Sequence, residues 1–212
     1  MLVLGINTVA DACEAALVRD GIVIADHAEP MIQGHDARLA PVVQILMQRA
    51  GVVFVDLTRV AVVVGPGSFT GVRVGVAFAR GLGLSLDIPV VGVTSLEALD
   101  QLPRAGRVLG VLTAKRRPPE KTWWAQQIEQ GRAAGEAFEA GAAHVSRLCV
   151  EAGTVCGPVA SLPEGIGARL VLAEPRATAA ALFVSRLTGD LPVATPVYVR
   201  EPDATPMRLV GG

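Results

Sequence analysis

Residues 65–70, Gly-Pro-Gly-Ser-Phe-Thr, have the types and spacing that could hold a ligand. Five apolar residues, 60–64, precede them and a long apolar pattern follows, which places them between a buried strand and a helix. Main-chain N–H groups and the helix dipole favour an anion there, with Gly65, Gly67, Ser68 and Thr70 as its contacts. The stretch lacks the lysine of a Walker A loop and the spacing of a dinucleotide fingerprint, so a purely structural turn is the competing reading. Ser68 is a poor nucleophile candidate, because GxSxG is absent and spacing nominates no Ser/His/Asp set. His27, His35 and His144 lie far apart without HExxH, which argues against a metal centre. Lys115-Arg116-Arg117 ahead of Trp123-Trp124 could touch RNA by charge and stacking, or form a solvated loop beside packed tryptophans. Cys13, Cys149 and Cys156 are odd in number and form no CxxC, so they read as reduced, buried thiols.

The elements that position these residues can be placed in order. Residues 2–7, 12–19 and 22–27 read as three antiparallel strands, with Asp20-Gly21 as a two-residue hairpin turn. Leu39, Val42, Val43, Leu46 and Ala50 form one stripe of a helix over 35–50, ended by Gly51, while Ile45 lies off the stripe. Ser68 or Thr70 caps the helix after the turn. On that helix Gly71, Gly75, Ala79 and Gly83 recur every fourth residue and share a face. Each glycine costs roughly 1 kcal/mol against alanine in a helix interior, so the ridge implies a close backbone approach. The approach is to the protein's own sheet, to another subunit, or to both. Arg73 and Arg80 interrupt the apolar run, which excludes a membrane span.

Residues 88–93 read as a further strand, and Thr94 with Glu97 forms a capping-box pattern that starts a helix. Residues 103–106, Pro-Arg-Ala-Gly, mark a domain boundary, giving an N-terminal unit of 1–103 and a C-terminal unit of 104–212. Beyond it, strands are expected at 107–113, 122–129 and 169–173, helices at 136–151 and 176–188, and a proline-interrupted tail from 193.

With 19 basic and 20 acidic residues, no global positive field draws nucleic acid to the chain. A composition 51% hydrophobic and 18% charged favours an extensive core over disorder. The apolar N-terminus has no basic n-region, so it reads as a strand in a cytoplasmic protein rather than a targeting segment.

The stretch 65–77, continuing to Gly81-Leu82, resembles the signature of the bacterial TsaB (YeaZ) family. Matches at 4–8, 35–41, 89–98 and 196–203 follow in the family's order. The resemblance implies an α/β fold of the actin-like ATPase type (ASKHA, ribonuclease-H-like), in two subdomains with mixed sheets flanked by helices. It also implies a role in forming threonylcarbamoyladenosine in tRNA, as a non-catalytic subunit that pairs with the transferase TsaD and with the ATPase TsaE. In the family the two helices after the first hairpin build a helical bundle with the partner, and the same face can form a homodimer. Carried onto this chain, the partner-binding residues are Arg38, Ile45, Gly71, Arg73, Gly75, Ala79, Arg80 and Gly83. No cofactor is required in that role, although a nucleotide could sit at the interface with TsaD, and tRNA is met through the complex. Two alternatives are a nucleotide-binding actin-like ATPase and a glycoprotease-like peptidase. Against the ATPase, Asn7 stands where such enzymes end the first strand with a carboxylate that helps hold magnesium. Thr113-Ala-Lys-Arg116 also departs from the Asp-Ala-Arg-Arg usual in relatives.

Overall fold

The computed structural model describes residues 1–103, 105–114, 121–158, 162 and 166–199. The basic loop Lys115-Arg116-Arg117 and the prolines at 202 and 206 lie outside the described residues.

Strand β1 (Leu2–Asn7) is buried along its whole length, and β4 (Arg59–Val63) along all but its first residue. They form the centre of a five-stranded sheet with β2 (Ala12–Arg19), β3 (Ile22–Pro30) and β5 (Val90–Val93), in the order β3-β2-β1-β4-β5. β1, β2 and β3 pair antiparallel, whereas β1, β4 and β5 pair parallel, so the sheet is mixed. The Asp20-Gly21 turn has positive φ at both residues, 50° and 80°, as a hairpin turn of this type requires.

Helices α1 (His35–Ala50) and α2 (Phe69–Leu86) pack on one face of this sheet. A third helix, α4 (Ala177–Val184), returns from the far end of the chain to pack on β1, β2 and β4. The near-continuous apolar runs of β1 and β4, broken only by Asn7 and Arg59 at their ends, follow from this cover on both faces.

The second sheet contains β6 (Arg107–Ala114), β7 (Thr122–Glu129), β8 (Arg132–Ala133), β10 (Thr154–Gly157) and β11 (Arg169–Leu172), in the order β11-β10-β6-β7-β8. β9 (Phe138–Gly141) also pairs with β7, and α3 (Ala142–Ala152) packs on the sheet. Leu96 and Leu99 join the core beneath this second sheet, with Val108, Ile128 and Cys156.

The structure corrects three sequence expectations. The Thr94–Glu97 box forms, with reciprocal hydrogen bonds of 3.1 Å, but no helix follows. Leu99 bridges Pro175, and Arg176 N–H donates to the Ala98 carbonyl at 2.9 Å, so tertiary pairing draws the chain out of a helix. The helix expected over 136–151 is split. Phe138 and Ala140 pair opposite Ala125 and Trp123 as strand β9, and helix begins only after Gly141. Finally, α4 stops at Val184 instead of 188. The Arg59 guanidinium donates to the Val184 and Leu187 carbonyls, at 3.2 and 2.9 Å, and so satisfies the helix end from outside.

The three thiols are buried, as expected. Burial pushes Cys13 up to about 11 and Cys156 to about 12, from an ordinary value of 9.0, and raises Cys149 as well. An acid raised in the folded state keeps its proton there while the unfolded chain loses it. Stability is therefore constant below pH 9.0 from these groups and falls as pH rises through about 11–12. The expected result is no labelling of the native chain by a thiol reagent at pH 7–8, with all three sites labelled after denaturation.

Candidate functional site

The turn at 65–68 is held from several sides. Gly65 has φ +101° and its peptide to Pro66 is cis. The Gly65 carbonyl accepts from Ser95 N–H at 2.8 Å, and Ser68 N–H donates to the Val9 carbonyl at 3.0 Å. Ser68 Oγ accepts from Gly71 N–H at 3.2 Å, which makes it the N-cap of α2. Thr70 is exposed on the first turn. Some of the donors that would cradle an anion are thus engaged by the protein itself. The Ser68 hydroxyl, a poor nucleophile candidate from the sequence, is a helix cap, as one of the two expected capping residues.

Beside this turn lies a cleft of about 390 Å³ between the two sheets. Its charged lining among the described residues is Asp11, Glu14, Glu174 and Arg176. Asn7 lies fully buried behind it. Asn7 Nδ2 donates to Glu14 Oε2 at 3.2 Å and to the Pro175 carbonyl at 2.9 Å, while Asn7 Oδ1 accepts from Val9 N–H at 3.2 Å. Glu14, 5% exposed, also accepts from Ala177 N–H at 3.1 Å and Arg176 Nη1 at 2.8 Å. This carboxylate caps α4 and fixes the C-terminal return of the chain. Asn7, Glu14 and Arg176 are a cluster that sequence reading did not assemble. Only an acid at Glu14, among the otherwise apolar residues 12–18, hinted at it.

A magnesium nucleotide does not suit this lining. The first strand ends in an amide whose groups are all engaged, and three carboxylates against one guanidinium repel a polyphosphate. Among the described residues no group of histidines, cysteines and acids could hold a metal ion. No helix among them is long and apolar enough to cross a membrane.

The helix ridge expected to meet a partner is occupied from within. Gly71, Gly75, Ala79 and Gly83 are all buried. A Cβ on Gly71 would strike the Thr8 carbonyl, one on Gly83 the Val90 side chain, and one on Gly75 would lie 2.5 Å from Thr8 Oγ1. The close approach is to the chain's own sheet, so these four residues are closed to a partner in this fold. Arg73 and Arg80 are exposed but turn to the C-terminal segment. Arg73 lies 3.8 Å over the Phe69 ring and its Nε donates to Tyr198 Oη at 3.3 Å, while Arg80 Nη2 donates to the Ala194 carbonyl at 2.6 Å. Arg38 forms a two-pronged ion pair with Glu29, at 2.8 and 2.6 Å, joining α1 to β3 and holding the Glu29 carboxyl below the usual range. Ile45 is half-buried on α1.

What α1 and α2 leave outward is different. Ala77, Gly81 and Leu84 are exposed on α2, Leu84 at 86%, and Val74 and Phe78 are half-buried beside them. A Cβ at Gly81 would meet nothing within 4 Å. Nothing among the described residues accounts for that glycine. It belongs to the motif but falls off the fourth-residue ridge, so spacing alone passed over it.

The family model of TsaD, tRNA N6-adenosine threonylcarbamoyltransferase, matches residues 27–115. The tRNA threonylcarbamoyladenosine biosynthesis protein TsaB of Escherichia coli is 38% identical over 146 residues, 66% of this chain and 62% of that protein. The match therefore spans less than two thirds of the E. coli protein's length. An uncharacterized protein of Mycobacterium tuberculosis is 35% identical over 212 residues, covering 98% of this chain and 95% of that one. YeaZ from Pseudomonas aeruginosa superposes with a TM-score of 0.71 at 28% identity, over 93% of this chain and 99% of that chain. The activator of 2-hydroxyisocaproyl-CoA dehydratase from Clostridium difficile, solved with bound ADPNP, gives 0.54 at 12% identity, a likeness of fold alone. The fold is the expected actin-like one, with two mixed sheets flanked by helices. With the motif at the head of α2, a TsaB protein at 38% identity and the YeaZ fold in common over 93% of this chain, this chain belongs to the TsaB (YeaZ) family.

Proposed function

We propose that this chain is a non-catalytic subunit in the formation of threonylcarbamoyladenosine in tRNA, docking on the TsaD transferase through the outward faces of α1 and α2. The observation that carries the reading is Gly81. It is an exposed helix-interior glycine with open space above it, flanked by Ala77 and Leu84 and facing the same side as the half-buried Val74. Such a residue costs the isolated helix roughly 1 kcal/mol, and a close helix–helix approach from outside offsets that cost. Ile45 on α1 extends the apolar face. The same face serves a homodimer when TsaD is absent, TsaE joins the assembled pair, and tRNA meets the chain through the complex. The chain needs no cofactor of its own in this role. The engaged Ser68 hydroxyl and the uncharged Asn7 support a scaffold over a peptidase or an ATPase.

The test is calorimetric titration of the chain with TsaD from the same organism. Gly81→Leu fills the open face without touching the core, and is expected to weaken binding by at least tenfold, or about 1.4 kcal/mol, with a Tm no lower than the parent's. Unaltered affinity in this variant would remove α2 from the interface. Modification of tRNA by the reconstituted complex should fall with the affinity.

A further inference from the structure

The cleft between the sheets keeps a polar group that folding leaves without a partner. Ser95 lines it, is fully buried, and its hydroxyl makes no hydrogen bond. Buried hydroxyls are nearly always satisfied, so an orphan at a cleft floor points to a partner from outside the chain. Glu174 stands in the same lining. Its backbone N–H donates to Asp100 Oδ1, and the residue is exposed to solvent, so its carboxylate is open to a ligand. Burial raises its proton affinity first. The charge of Arg176 works against this, and Asp100, Glu14 and Asp11 add to the rise. Among the described residues the lining carries more acids than bases, a net negative sign that a cation relieves and an anion worsens. Arg176 does not reverse that sign, since it is paired with Glu14 at 2.8 Å. The remaining wall is apolar, with Val9, Leu112 and Trp124. A cavity of about 390 Å³ with an apolar wall and a few convergent polar groups is of ligand-binding size.

We propose that this cleft binds a small amine bearing a hydroxyl, with the ammonium at Glu174, the hydroxyl at Ser95 and the carbon body against Trp124 and Leu112. A polyphosphate is disfavoured by the same charges. This site is separate from the outward face of α2, so it stands or falls independently of docking.

The experiment is a titration of the full chain followed by amide and indole NMR, with isopropanolamine as the probe and isopropanol and ADP as comparisons. Isopropanolamine is expected to give saturable shifts at Trp124 and its neighbours with a Kd in the millimolar range, roughly the affinity open to so few atoms. Isopropanol and ADP should bind at least about tenfold more weakly, because they lack the charge-assisted contact. Glu174→Gln is expected to lose about tenfold in affinity and Ser95→Ala a few-fold, with spectra that remain those of a folded chain. Glu151→Gln, on the exposed side of α3, should bind like the parent. The proposal is overturned by an absence of saturable shifts at Trp124, by tighter binding of ADP, by parental affinity in Glu174→Gln, or by an equal loss in Glu151→Gln.

Discussion

Gly71→Ala is expected to destabilise the chain by about 3 kcal/mol and lower its Tm by roughly 10 °C, a large share of the ~5–15 kcal/mol that holds such a domain. The added methyl has nowhere to go. It would strike the Thr8 carbonyl, a backbone atom fixed between β1 and the turn, and Thr8 Oγ1 already donates to the Gly71 carbonyl at 2.7 Å. Helix propensity alone favours the substitution by roughly 1 kcal/mol, so the outcome decides whether local preference or packing governs this position. Gly81→Ala is the control, made in the same helix with the same change in propensity. Its methyl enters open space, and the isolated chain should gain up to about 1 kcal/mol. Paired thermal melts of the two variants give opposite shifts if α2 lies as described. Equal shifts would mean that the ridge does not face the sheet.

Asn7→Asp restores the carboxylate that an actin-like ATPase carries, and is expected to cost about 3–5 kcal/mol without conferring magnesium-nucleotide binding. The amide donates to Glu14 Oε2 and to the Pro175 carbonyl. A carboxylate there has no proton to donate and faces a second buried carboxylate at hydrogen-bond distance. Both burial and the Glu14 charge raise the introduced group's proton affinity above its value in the unfolded chain. A raised acid confers its stability below the unfolded pKa and loses it as pH rises through the folded one. The gap between variant and parent should therefore narrow on acidification from neutral pH and widen again on return. Denaturant melts across that range measure it, and calorimetry with magnesium ATP reads the binding. Parental stability at pH 7, or clear nucleotide binding by the variant, would show that Asn7 is not the structural hub assigned to it.

Both results turn on the same division between local pattern and long-range contact. The first hairpin, α1 with its Gly51 cap, and α2 with its Ser68 cap are legible because their signals lie within a few residues. Periodicity and turn chemistry suffice for such elements. The split of 136–151 into β9 and α3 is not legible, since Phe138 and Ala140 become strand only by pairing with β7. Likewise the Thr94–Glu97 box is chemically complete, yet the chain leaves helix there to bridge Pro175.

Residue types and spacing were enough for the strand–turn–helix at 60–84, for the shared face of Gly71, Gly75, Ala79 and Gly83, and for the missing carboxylate at Asn7. Spacing puts residues on one side of a helix but carries no information about what that side meets. It took the packed layers to show that the ridge meets Thr8 and Val90 of the same chain, that Arg73 and Arg80 hold the C-terminal segment, and that Gly81 is the glycine left facing outward. Asn7, Glu14 and Arg176 likewise become one cluster only when α4, some 160 residues further along, closes over β1. Contacts of that separation depend on the packing of whole layers, which no local pattern encodes.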